Sequence, residues 1–178
     1  MPNSESTTEV TKDEFIYFIW DEAEKYLPKF RRFNIEGVDK FAVTWHWPAF
    51  FLSCAWMAYR KMYLWAFGAG VIVFLYYMGL FLLWDLTSHL PFSLLEVLAH
   101  TAILPLLGLI ALILPVIAFG IAGNYVYYKY AKKKIIECKA RLASSDAEEI
   151  TMALRKTGGV NPWAGALAIA IMLLLGFL

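Results

Sequence analysis

Two carboxylate–histidine pairs have the residue types of a reactive site: Asp85 with His89, and Glu96 with His100, each four residues apart. On a helix that spacing brings both side chains to one face. Mixed nitrogen and oxygen donors could then hold a metal, and a membrane enzyme could be built on these histidines. The simpler explanation competes directly. Glu96 follows Ser93 at the spacing of a capping box, and polar side chains must collect wherever two membrane crossings are joined. Ligand types without convergent geometry are weak evidence, so these four are only weak metal candidates. No catalytic residue is assigned and no cofactor is expected. Cys54 lies in an apolar block, where a thiol is inert. Cys54 and Cys138 have no zinc or disulfide spacing.

A second constellation closes the block WHWPAFFLSCAWMAYRKMY, residues 45–63, where apolar sequence stops abruptly at Arg60 and Lys61. Both side chains could simply snorkel to water and headgroups at an interface. Alternatively Arg60, beside Trp56 and Tyr59, grips a lipid phosphate or a partner carboxylate. Asn124, between Gly123 and Tyr125, is placed to hydrogen-bond the helix of that block. Lys132, Lys133 and Lys134 form a basic patch suited to anionic lipid, or a solvated run beside the membrane.

The elements that must position these residues follow from composition. Hydrophobic residues are 60% of the 178, against roughly 45–50% in a soluble domain, and mean hydropathy is +0.56. The class is all-α, a multi-pass helical membrane protein. A net charge of +1 gives no reason to expect nucleic acid. Residues 1–10 are Ser/Thr/Glu-rich and form a disordered tail, without the apolar core of a cleavable signal. Residues 11–44 form an amphipathic helical segment starting at the capping box Thr11–Glu14. Its stripe is Phe15, Ile19, Ala23, Tyr26 and Phe30, and a break is expected near Leu27 because of Pro28. The membrane domain, 45–128, holds a half-helix at 48–59 and crossings at 62–84 and 102–122. Twelve residues from Pro48 to Tyr59 make about 18 Å of helix, too short for a ~30 Å hydrocarbon core, so this helix is re-entrant or interfacial. Counting from Phe41 instead would allow a crossing. Pro105 and Pro115 should bend the second crossing, with neighbouring side chains taking the carbonyls they free. Residues 129–161 form a helical hairpin whose second helix starts at Ser145, with Glu148 three residues on. Residues 162–178 form a third, short transmembrane helix.

Charge sets the orientation. If the half-helix does not cross, all 16 Lys and Arg lie on one side, which the positive-inside rule makes cytoplasmic. The N-terminus is then cytoplasmic and the C-terminus periplasmic.

The order KYLPKF, WHWPAFFLSCAWMAYRKMYLW, GIAGNYVYYKYAKKKI and KTGG resembles the bacterial family catalogued as domain of unknown function 2628, over about residues 15–160. Members of that family typically carry Gly-Pro where this chain has Ser53 and Cys54. The resemblance implies a small integral protein of the bacterial inner membrane and brings no catalytic residues. The expected function is a non-enzymatic accessory or adaptor component, with lipid handling or small-solute transport as the alternative. Expected partners are membrane lipids, including anionic ones, and a membrane protein or a second copy of the chain.

Overall fold

The structure, a computed structural model, describes residues 10–35, 37–88 and 103–175. Helix α1, Lys12–Ile19, begins where Glu14 N–H donates to Thr11 Oγ1 at 3.3 Å and Thr11 N–H donates to the Glu14 carboxylate at 2.8 Å. Two amide groups left free at a helix start are satisfied in this way. The break expected at Leu27 lies elsewhere. A 3₁₀ turn, Trp20–Glu22, with Trp20 at φ 64°, separates α1 from α2, Ala23–Phe30, and Pro28 sits inside α2. Near the end of a short helix a proline removes only one hydrogen bond. The turn at 20–22 instead lets Phe15, Phe18 and Ile19 of α1 and Ala23, Tyr26 and Phe30 of α2 enter one core.

A two-residue antiparallel hairpin follows, β1 (Asn34–Ile35) and β2 (Val38–Asp39), turning through Gly37 at φ 80°. It is the one departure from an all-helical chain among the described residues. Helix α3, Trp47–Tyr59, is kinked at Ser53, which has φ 41° and ψ −114°. Both ends of α3 contact α5, Ile103–Arg141, at well-separated positions. His46 N–H donates to the Gly120 carbonyl at 2.8 Å, and the Tyr130 hydroxyl donates to the Lys61 carbonyl at 2.9 Å. The kink shares a groove with Pro115, Val116 and Phe119 of α5.

Helix α4, Tyr63–Ser88, is apolar on every side, as expected of a helix surrounded by lipid or protein. Pro115 lies inside α5 and cannot bond the carbonyl four residues back, that of Ala111. The Tyr76 hydroxyl of α4 donates to that carbonyl at 2.7 Å, so a neighbouring helix repairs the ladder. Helix α6, Ala147–Thr157, starts from Asp146 without a side-chain cap. The Ser145–Glu148 box does not form, because Ser145 N–H is committed to the Leu142 carbonyl at 3.0 Å in the preceding turn. Helix α7, Pro162–Leu174, is capped by Asn161, whose Oδ1 accepts from Ala164 N–H at 3.2 Å.

Among the described residues three stretches are long and apolar enough to cross a membrane: Tyr63–Leu86, Leu106–Arg141 and Ala147–Leu174. The third is interrupted between α6 and α7. Its apolar part is α7, 13 residues or about 20 Å at 1.5 Å each. The buried core lies at the polar end of these spans, where α1, α2 and α6 pack on the last turns of α5.

Candidate functional site

That polar end is organised around Arg60, the C-cap of α3, which is 2% exposed. Its Nη2 donates to the Glu22 carboxylate and, at 3.1 Å, to the Tyr26 hydroxyl. The guanidinium also lies 4.8 Å from the Tyr26 ring centroid, 5.2 Å from Tyr127 and 5.7 Å from Tyr59. A charge removed from water needs paired acceptors or aromatic faces, and three rings and one carboxylate supply them. Among the described residues Nε and Nη1 have no hydrogen-bond partner, and the Tyr127 hydroxyl approaches the guanidinium without meeting hydrogen-bond geometry. Burial draws the pKa of Arg60 down, and Tyr127 opposes that shift.

Tyr26 carries the network onward. Its hydroxyl lies 3.0 Å from His46 Nε2, while His46 Nδ1 accepts from Ala49 N–H at 2.9 Å and so caps α3. An accepting Nδ1 puts the imidazole proton on Nε2, which donates to Tyr26. Burial, reinforced by the Lys29 ammonium, lowers the His46 pKa to about 3, so the ring is neutral. Burial also pushes the Tyr26 phenol above its ordinary value. Trp56 closes the group, its ring 4.4 Å from His46 and 5.9 Å from Tyr127. Asn124 holds the segment that leads into α3 rather than the helix itself: its Nδ2 donates to Thr44 Oγ1 at 3.1 Å and to the Trp45 carbonyl at 3.2 Å. Gly123 is required beside it, because a Cβ there would come within 2.7 Å of Ala49 Cβ.

Lys61 turns to a different helix. With φ 61°, it points Nζ at the carbonyls of Lys156, 3.0 Å, and Gly158, 2.5 Å. A cation on the last carbonyls of a helix complements its dipole, so Lys61 closes α6. The two adjacent cations thus tie α3 to two further elements, Arg60 to the turn before α2 and Lys61 to α6. Gly158 allows this contact, since a Cβ there would collide with the Phe18 carbonyl of α1.

The basic run is paired within the chain. Asp39 accepts from Lys132 at 2.7 Å, Lys129 at 3.0 Å and the Tyr128 hydroxyl at 2.6 Å. Burial pushes the Asp39 carboxyl up, but these three donors outweigh it and hold it at about 2. Lys134 meets Glu137 at 2.8 Å and Lys133 reaches the same carboxylate at 3.9 Å.

Of the residues singled out from sequence, Trp56, Tyr59, Arg60 and Asn124 come together around α3, with Lys61 at its end. Lys132, Lys133 and Lys134 line α5 apart from them. Asp85 lies near the end of α4, while His89, Glu96 and His100 fall outside the described residues. Among the described residues no three His, Cys, Asp or Glu side chains are placed to hold a metal. Sequence reasoning missed Glu22, Tyr26, His46 and Asp39. His46 had a readable signal, since it immediately precedes Trp47-Pro48 at a helix start. Glu22 and Asp39 had none, because their partners lie 38 and about 90 residues away. No family model, curated protein or solved structure matches this chain.

Proposed function

We propose that this chain is a non-enzymatic accessory or adaptor component of a bacterial cytoplasmic membrane, with α3 as a re-entrant half-helix, its N-terminus cytoplasmic and its C-terminus periplasmic. The observation that carries the reading is the buried joint of Arg60, Glu22, Tyr26 and His46. It fixes a layer of short helices to the apolar spans, so a partner seated on that layer is held at a set height above the membrane. The shortness of α3, 13 residues kinked at Ser53, supports a half-helix, and the positive-inside rule supports the side. The family resemblance is consistent with this. Its Gly-Pro coincides with Ser53–Cys54, and Ser53 has the positive φ that suits glycine.

Purification of the chain from native membranes in mild detergent tests the proposal. A stoichiometric protein that stays with the wild type and is lost when the α6 surface is altered, for example by Glu148→Lys/Glu149→Lys, is the expected result. Retained lipid with no protein partner would instead favour lipid handling or small-solute transport. One feature favours that second reading: an apolar groove of about 420 Å³ beside the Ser53 kink, bounded by Phe67, Gly70, Phe119 and Ile171.

A further inference from the structure

Beside the first turn of α4 lies a different groove, of about 680 Å³, whose walls include Asp39, Trp65, Tyr125, Lys129, Lys132 and Lys133. Three donors of this region converge on the Asp39 carboxylate, at 2.6–3.0 Å. Convergent ammonium and hydroxyl donors make an anion seat, and the chain's own β2 supplies the anion. The pairing is incomplete. Glu137, also in the wall, is shared with Lys134, and its 3.9 Å separation from Lys133 exceeds hydrogen-bond reach. The Lys133 side chain is 77% exposed and that of Lys129 is 49% exposed. Three lysines against two carboxylates leave the groove positive by one charge, before Lys134's claim on Glu137 is considered.

The height of the groove narrows the choice of ligand. Trp65 belongs to the first turn of α4, and Tyr130 binds the Lys61 carbonyl just before α4 begins. This is the level at which the apolar span starts, where indole and phenol rings favour the headgroup region. Leu64 and Trp65 are exposed beside it, an apolar flank that a free anion would not use and that a lipid glycerol and upper acyl chain would cover.

We propose that this groove seats the phosphate-bearing headgroup of an anionic phospholipid. Lys133 and Lys129 contact the headgroup, and Asp39 holds Lys132 and Lys129 in position. The inference rests on the chain spanning a membrane and not on its having a protein partner, so failure of the adaptor reading leaves it standing.

The test offers the purified full chain, in mild detergent, equal amounts of dioleoylphosphatidylglycerol and dioleoylphosphatidylcholine and reads bound lipid by native mass spectrometry. Wild type should retain the anionic lipid in preference, by about fivefold for each lysine that contacts the headgroup. Lys129→Gln/Lys133→Gln should bring the two lipids to near parity, and millimolar inorganic phosphate should not displace the bound lipid. Lys133→Gln alone, at an exposed position, gives a partial loss in a chain whose fold is not at issue. Equal retention by wild type, or an unchanged preference in both variants, overturns the proposal. Displacement by inorganic phosphate overturns it in favour of a free-anion site.

Discussion

Arg60 and Glu22 are an unequal pair, since the arginine side chain is 1% exposed and the glutamate 34%. Removing the arginine leaves a carboxylate that can turn to water. Removing the glutamate strands a cation in the interior, the situation that makes broken buried pairs costly, by about 3 kcal/mol. Glu22→Ala should therefore destabilise the detergent-solubilised protein more than Arg60→Met, which costs about 1 kcal/mol because volume is kept. Denaturation midpoints check this order, and an Arg60→Met variant that is the weaker of the two refutes it. His46 gives a pH dependence. Its folded pKa of about 3 lies below the ordinary 6.5, so protons bind the unfolded chain more readily. The stability from neutral His46 is complete above about pH 6.5 and is lost as pH falls toward 3, at no more than about 1.4 kcal/mol per unit. His46→Asn, which keeps a capping acceptor, should flatten thermal midpoints measured between about pH 7 and pH 5. Equal slopes in the two proteins would argue against the assignment.

At the scale of elements, α3 stores strain at Ser53. An L side chain at φ 41° and ψ −114° brings Cβ against the backbone, at about 1–2 kcal/mol. Ser53→Gly should raise the denaturation midpoint, and Ser53→Ala should not, since alanine keeps the Cβ. A glycine variant less stable than the alanine one would mean that the serine hydroxyl, not the backbone, governs the kink. Helix starts and stops were legible where they depend on neighbours in sequence: the Thr11–Glu14 box forms, and Pro115 opens a gap that Tyr76 fills. The break between α1 and α2 was not legible. It falls at Trp20–Glu22 rather than near Pro28, because the need to bring both aromatic stripes into one core outweighs a single lost hydrogen bond. Ser145 failed as a cap for the same kind of reason, its amide being engaged by the preceding turn.

For the whole molecule, the prediction concerns topology. A single cysteine placed near residue 5, in a chain with Cys54 and Cys138 replaced by alanine, should react with a membrane-impermeant maleimide only after cells are opened. Labelling of intact cells would overturn this orientation: with the other crossings kept in place, α3 would have to cross and the six Lys and Arg from Lys12 to Lys40 would lie outside, against the positive-inside rule.

The membrane class and the helical elements were determined by the sequence alone, because hydropathy, proline and capping act over a few neighbouring residues. It also marked Arg60 and Lys61 as the point where apolar sequence stops. Only the tertiary structure decided what those two charges meet. Glu22 lies 38 residues before Arg60, and the carbonyls of Lys156 and Gly158 lie about 95 residues after Lys61. A buried charge takes whichever partner folding brings within reach, and no local pattern records a distance that the chain closes only by packing.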